Sequence, residues 1–406
     1  MLQRSLKYRV SIGSIAGRYA GQLAGVAGAE YQRGMPLIPR FAPISLAVAA
    51  LGLAAPGAAP CPDPQAETWP APEWPEPAPA NLPAAAAFDA IAFPPERAEA
   101  DRSVPHTNGL VVIQDGWLVY ERYARGFGPA TPHIVWSVSK SVLQSVYGAV
   151  VQEGLVDLDR PVAERSPWIG GGDKARITYR ELLQMRSGID FNEAYEFAPL
   201  FSSVLAMLYT RGRGDMAAFA AAQPVAAAPG TVWRYKSGDS LILAAALRDL
   251  VGPARYPDYP WSALFDPIGI TTAVWERDAA GTFVGSSYLY LAPRDLARIG
   301  LLYLRDGCWA GRRILPEGWV AFAGTPSPAL TGPGLYGAHW WLNRPGPDGV
   351  RPIPEAPEDL LAATGHWGQL LLVLPAHRLV VARAADDRVR LDLGRLTAAA
   401  ISAFAR

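Results

Sequence analysis

Apolar residues occur in short extended runs near both ends of the folded part of this chain, and at helical spacing between them. Residues 110–113 and 117–123 are rich in β-branched and aromatic side chains and flank Asp115-Gly116. Such a dipeptide tolerates the left-handed backbone of a tight turn, so the pattern predicts a β-hairpin. Residues 369–374 and 379–383 repeat it around Pro375-Ala376-His377-Arg378, predicting a second hairpin near the C-terminus, and residues 391–405 read as a closing helix. The middle is helical. Thr178-Tyr179-Arg180-Glu181 is a capping box opening a helix that stops at Gly188. Residues 240–251 form an apolar helix with Asp239 available as its cap and Gly252 past its end; residues 293–305 form another, ended by Asp306-Gly307. The expected fold is α/β of the α+β type, with an antiparallel sheet built from both chain ends, flanked by helices, and a mainly helical domain inserted. The sheet domain would take residues 88–150 and 280–406, and the insertion residues 151–279.

The first hundred residues read differently. Residues 41–59 (FAPISLAVAALGLAAPGAA) are apolar and rich in small side chains, with Arg33 and Arg40 just ahead. Basic flank, apolar stretch and small residues are the order of a secretory signal, and Met35 is an alternative start. Residues 1–60 are therefore expected to be an export signal with an upstream extension, giving a periplasmic or extracellular bacterial protein; a membrane anchor is the alternative. Residues 61–87 are dense in Pro and Ala, which predicts an extended linker or strap pinned by Trp69 and Trp74.

Composition narrows the chemistry. Half of the 406 residues are apolar, 18% are charged, and 37 basic residues balance 37 acidic ones. Disorder of the whole chain is excluded, and nucleic acid is an unsuitable partner without a concentrated basic face. Cys61 and Cys308 cannot make a disulfide framework or a zinc site; one bridge is possible, but two unrelated thiols are the expectation. The five histidines show no metal-ligand spacing, and neither a Gly-x-Ser-x-Gly elbow nor a phosphate-cradling glycine loop occurs. No metal or cofactor is expected. The only lysines are Lys7, Lys140, Lys174 and Lys236, which makes each informative.

Residues 137–151 (SVSKSVLQSVYGAVV) form a mostly buried helix whose polar positions Ser137, Lys140, Ser141 and Gln144 fall on one face. That stripe should face a cavity. An amine held out of water gives up its proton more readily, and one turn from a hydroxyl it can act as that hydroxyl's base. Free N–H groups at the helix start suit a developing oxyanion. Ser137 and Lys140 thus suit a nucleophile–base pair, the alternative for this tetrad alone being an N-cap serine followed by a solvated lysine. A second element is Arg234-Tyr235-Lys236-Ser237-Gly238-Asp239, a loop able to project the Tyr235 phenol into a cleft. The third is Thr364 to Gln369, where Gly368 would let a ligand approach the backbone and a strand N–H would serve as second oxyanion donor.

Serine-Lys, loop tyrosine and a Gly-containing strand entry, in that order, resemble the serine β-lactamase and penicillin-binding-protein superfamily. The class C-like branch, with carboxylesterases, D-aminopeptidases and 6-aminohexanoate-dimer hydrolases, is the nearest likeness. It extends over residues 108–381, through Asn108 to Gly116, Trp136 to Val142, Leu182 to Gly188, Pro229-Gly230 to Tyr235, Asp295 to Gly300, Tyr336-Gly337 with Trp340-Trp341, and Gly365 to Gln369. The resemblance implies that Ser137 is acylated, Lys140 is its base, Tyr235 relays protons, and the N–H groups of Ser137 and Gln369 form the oxyanion hole. Asp190 to Tyr195 looks like the 6-aminohexanoate-dimer hydrolases, where a tyrosine at the Tyr195 position contacts the amide substrate. Ser237 replaces a frequent Asn, and His366-Trp367-Gly368 replaces Lys-Thr-Gly, which favours ester or amide substrates over β-lactams. His366 is either a substrate contact or a loop residue. The partner implied is a small ester, amide or peptide-like substrate, with membrane association through the N-terminal apolar segment as a further possibility. A D,D-peptidase or β-lactamase is one alternative; a non-catalytic ligand sensor of the same fold is the other.

Overall fold

In the computed structural model of the protein, residues 60–70, 73–76, 82–95, 102–195, 201–330, 335–346 and 349–406 are described. The expected export segment lies outside them. Among the described residues no helix is long and apolar enough to cross a membrane.

Strand β1 (Thr107–Gln114) turns through Asp115-Gly116 into β2 (Trp117–Tyr123), as the dipeptide predicts. The other strands of this sheet come from the C-terminal part: β8 (Leu335–Tyr336), β9 (Trp341–Leu342), β10 (Leu361–Gly365), β11 (Gln369–Leu374) and β12 (Leu379–Ala385). β12 lies beside β1, so the two chain ends close one seven-stranded sheet of order β2-β1-β12-β11-β10-β9-β8. Its pairings are antiparallel. Short strands β3 (His133–Ile134), β4 (Val274–Trp275) and β5 (Leu289–Leu291) make a second sheet, and β6 (Cys308–Trp309) pairs with β7 (Arg312–Arg313).

Both faces of the large sheet are covered, which is why its central strands read as continuous apolar runs rather than alternating ones. Val111, Ile113, Leu371, Val373, Val380 and Ala382 share a core with α2 (Val138–Gln152) and α7 (Pro293–Leu304). Leu110, Val112, Leu370, Leu372 and Val381 face the other way, against Phe88 of α1 (Leu82–Ala92) and Leu396 and Phe404 of α9 (Leu393–Phe404). Between α2 and β4 run α3 (Tyr179–Leu183), α4 (Ser203–Tyr209), α5 (Met216–Ala222) and α6 (Ser237–Val251); α8 (Trp319–Ala323) follows β7.

Four expectations change. The Pro/Ala-rich stretch does not stay extended to residue 87, because α1 begins at Leu82 and buries Phe88. Helix α3 has its full capping box but ends at Leu183, since Met185 takes a left-handed φ of 58° that no helix continues through. Helix α6 starts at Ser237 with Lys236 at its N-cap, so Asp239 lies inside the first turn rather than capping it. Cys61 and Cys308 are bonded to each other. That disulfide ties down residues 61–70 as a strap, and residues 73–76 lie on the same domain. Trp69 packs on Trp309 at 5.3 Å between ring centroids, Glu67 pairs with Arg305 at 2.5 Å, and the Pro75 carbonyl accepts from Leu118 N at 2.9 Å.

Candidate active site

Ser137 is the N-cap residue of α2, yet its side chain makes no capping hydrogen bond, which leaves the hydroxyl for other work. It is partly exposed, and its backbone N–H has no partner among the described residues. Trp136, immediately before it, holds a left-handed φ of 47°, a strained setting of the kind found at functional sites.

One turn on, Lys140 is 1% exposed. Its Nζ lies 3.0 Å from Ser137 Oγ, 3.1 Å from Ser237 Oγ and 3.0 Å from the Ser286 carbonyl. Three acceptors match the three hydrogens of an ammonium. With a neutral amine, two N–H groups would serve Ser237 and Ser286 while the lone pair received the Ser137 hydroxyl proton. Behind Ser237 stands Glu193: its Oε1 accepts from Ser237 Oγ at 2.6 Å and its Oε2 from Ser237 N at 2.7 Å. Burial raises the Glu193 pKa, with Lys140 and the Ser237 hydrogen bonds opposing. The result is a chain from Ser137 through Lys140 and Ser237 to Glu193.

Tyr235 reaches this chain from the loop ahead of α6. Lys140 Nζ sits over its ring, 5.0 Å from the centroid. The ring stacks on Trp341 at 5.4 Å and meets Tyr336 edge-on at 5.7 Å. The loop is held from both sides: Arg234 N donates to the Met185 carbonyl at 3.0 Å, and Arg234 pairs with Asp190 at 2.8 Å. Lys236, also 1% exposed, lies 3.4 Å from fully buried Asp239, which in turn accepts from Ser187 Oγ at 2.6 Å. Burial raises the Asp239 pKa, and Lys236 works against that.

The third element is the turn between β10 and β11. Gly365 lies so close to the Val135 carbonyl that a Cβ would stand 2.4 Å from it, which seats the turn against the chain leading into Ser137. Gln369 starts β11 opposite Gly365. Its side chain is fully committed to the turn and to β12, donating to the His366 carbonyl at 3.1 Å and the Ala385 carbonyl at 2.6 Å while accepting from Ala385 N at 3.0 Å. Gly368 has a φ of 87°, and a Cβ there would fall 2.1 Å from Asp387 Oδ2. The space expected for a ligand is thus filled by the buried Asp387–Arg383 ion pair; Arg383 Nη1 also donates to the Gly368 carbonyl at 2.8 Å. His366 stacks on Tyr195 at 5.2 Å and meets Trp136 at 5.5 Å, while Trp367 meets Trp136 at 5.6 Å. Tyr195, His366, Trp136 and Trp367 therefore form one aromatic wall beside Ser137. Burial pushes the Tyr195 phenol well above its ordinary pKa, with the neighbouring Glu193 adding to it. A cleft of about 710 Å³ opens alongside, lined by Glu193, Arg234 and Tyr235, with Phe201 80% exposed at its lip.

Residues 100–405 match the β-lactamase family. The chain belongs to that family. A 6-aminohexanoate-dimer hydrolase of Paenarthrobacter ureafaciens is 30% identical over 256 residues, which are 58% of this chain and 64% of that protein. The chain thus spans less than two thirds of that relative's length. A Bacillus anthracis structure carrying a provisional 6-aminohexanoate-dimer hydrolase assignment superposes with a TM-score of 0.62 at 20% identity, over 80% of this chain and 84% of the other. A family VIII carboxylesterase gives 0.58 at 17% identity, over 79% and 97%. At such identities these two share the fold.

The structure brings Ser137, Lys140 and Tyr235 together and sets the Tyr195, His366 and Trp367 rings beside Trp136. Sequence reasoning missed the Glu193–Ser237 pair. The available signal was a lysine on an apolar helix with no acid at helical spacing, which requires a partner from elsewhere in the fold.

Proposed function

We propose that this β-lactamase-family hydrolase cleaves an ester or amide bond through an acyl-enzyme on Ser137. Ser137 Oγ bonds to the substrate carbonyl carbon as Lys140 Nζ takes the hydroxyl proton. The backbone N–H groups of Ser137 and Gln369 receive the oxyanion. The C–O or C–N bond then breaks, Tyr235 gives its hydroxyl proton to the leaving group, and Lys140 returns that proton to Tyr235. Water next adds to the acyl carbon as its proton passes through Tyr235 to Lys140, the bond from that carbon to Ser137 Oγ breaks, and Lys140 returns the proton to Oγ, which frees the acid and leaves Ser137 as it began.

The observation carrying this reading is the buried Lys140 amine, 3.0 Å from Ser137 Oγ and backed by Ser237 and Glu193. Glu193 supplies what a buried base needs. Lys140 as ammonium with Glu193 as carboxylate, and both groups neutral, differ by one proton passed through the Ser237 hydroxyl. Burial disfavours the Glu193 carboxylate and raises its pKa, with Lys140 and the Ser237 hydrogen bonds opposing. An amide substrate is supported by the Paenarthrobacter relative, and His366-Trp367-Gly368 in place of Lys-Thr-Gly supports ester or amide over β-lactam.

Export is part of the same proposal, supported by the Cys61–Cys308 bridge, because structural disulfides persist in oxidising compartments.

The test is turnover of p-nitrophenyl esters, D-amino-acid amides, 6-aminohexanoate dimer and nitrocefin by wild type and Ser137→Ala. Repeated product release from an ester or amide, lost in Ser137→Ala, is the expected result. A single stalled acylation would indicate a sensor, and rapid nitrocefin opening a β-lactamase.

A further inference from the structure

Lys236 and Asp239 form a second buried cation–anion pair, one that acyl transfer does not use. Lys236 is 1% exposed, Asp239 is fully buried, and their charged groups lie 3.4 Å apart. Stability alone does not account for the pair, because replacing a buried ion pair by apolar side chains of its volume is often neutral or stabilising. That leaves a directional role, and the backbone shows which. Lys236 is extended, at φ −159° and ψ 136°, just before the first turn of α6. Side chains alternate across an extended segment, so those before and after Lys236 leave from the opposite face. They are Tyr235 and Ser237, and both meet Lys140: its Nζ is 5.0 Å from the Tyr235 ring centroid and 3.1 Å from Ser237 Oγ.

The acid end of the pair is firmly seated. Asp239 Oδ1 accepts from Ser187 Oγ at 2.6 Å, and Ser187 Oγ accepts from Ile189 N at 3.2 Å. Gly238 packs so closely on Phe191 that a Cβ would stand 2.8 Å from the ring, which fixes the turn carrying Asp239. The two residues that Lys236 separates do not depend on it equally. Ser237 has its own grip, since its N–H and its hydroxyl both donate to Glu193. Tyr235 is held through its ring, by Trp341 and Tyr336, and through the backbone on either side. On one side Arg234 contributes a backbone hydrogen bond to Met185 and a half-exposed, hence weak, ion pair with Asp190. On the other side stands the buried Lys236–Asp239 pair.

We propose that Lys236 is a positioning residue, whose buried pairing with Asp239 draws the extended backbone inward and aims the Tyr235 phenol at the leaving group. The inference rests on the reading of Ser137 as nucleophile and Tyr235 as proton donor. A phenol out of line impairs proton delivery to a leaving group that needs a proton, and spares one that is stable as an anion. Lys236 therefore sets which leaving groups are accepted. With it, the enzyme expels alkoxides and amines; without it, activated esters alone react well.

The test is the ratio of kcat/KM on p-nitrophenyl acetate to that on ethyl acetate. Both esters deliver the same acetyl group, and any misfolded fraction cancels in the ratio. Lys236→Met should raise that ratio by about tenfold, almost wholly through loss on ethyl acetate. Asp239→Asn keeps an acceptor for Ser187 but removes the charge facing Lys236, and should raise the ratio in the same direction. In a Tyr235→Phe background neither substitution should move it further, because residues that act through one group are not additive. Equal losses on both esters in either variant, or a further rise in the Tyr235→Phe background, would overturn the role. Ser137-dependent turnover of p-nitrophenyl acetate would in that case leave the hydrolase reading standing. No Ser137-dependent turnover of any ester would overturn that reading, and this role with it.

Discussion

Lys140 and Glu193 are joined by a single hydroxyl, and the properties of the site follow from that. A buried cation without partners would be strongly destabilising, so the amine needs both its three acceptors and a compensating carboxylate. Because Glu193 has a raised pKa, its carboxylate is lost first as pH falls, at a pH above the usual glutamate range. Hydrolysis by the wild type should therefore drop through a step at that point. Glu193→Gln cannot take up the Lys140 proton through Ser237, so its rate should start low and its profile lack the step; a step retained in the variant would remove Glu193 from the relay. Tyr235→Phe should lower kcat by about 10²–10⁴-fold, the usual reach of acid–base catalysis, with far-UV circular dichroism unchanged. Unaltered rates would take the phenol out of the mechanism. Ser137 and Lys140 were legible in the sequence because one helical turn sets their spacing. Glu193 was not, because it meets Ser237 across 44 residues of loop and helix that no local pattern links.

At the level of elements, the turn between β10 and β11 shows how a site residue can be read for the wrong reason. The glycine was legible, but the group needing its missing Cβ is Asp387 rather than a ligand. Gly368→Ala would force a left-handed alanine, at about 1–2 kcal/mol, and press on a buried ion pair that also anchors the Gly368 carbonyl. The expected outcome is a lower midpoint in urea and a larger loss of activity than of stability, since Trp367 and Gln369 move with the turn. A variant with wild-type stability and rate would contradict this packing. Hairpins β1–β2 and β11–β12 were legible because turn chemistry is local, in Asp115-Gly116 and in Pro375 to Arg378. Helix α1 was hidden because Pro83 and the alanines after it carry no amphipathic signal; Phe88, packed on Tyr120 and Phe404, anchors it together with buried Ala92.

For the whole molecule, the Cys61–Cys308 bond closes a loop of 247 residues. Cross-linking so long a loop restricts the unfolded chain, and reduction or Cys308→Ser should cost about 2–4 kcal/mol. Denaturant melts with and without dithiothreitol check this, and equal stabilities would mean that Trp69, Glu67 and Pro75 hold the strap unaided. Nothing local in the sequence pointed to this bridge, because the approach of Cys61 to Cys308 is created by the folded sheet between them. The closing of one sheet by both chain ends was legible, since each end carries its own hairpin.

The most direct measurement is the site of covalent labelling. The intact protein is treated with a fluorophosphonate, digested and sequenced by tandem mass spectrometry. The adduct should lie on Ser137, vanish in Ser137→Ala, and persist in Ser139→Ala and Ser141→Ala. An adduct on any other residue, or equal labelling of the Ser137 variant, would contradict a Lys140-activated serine.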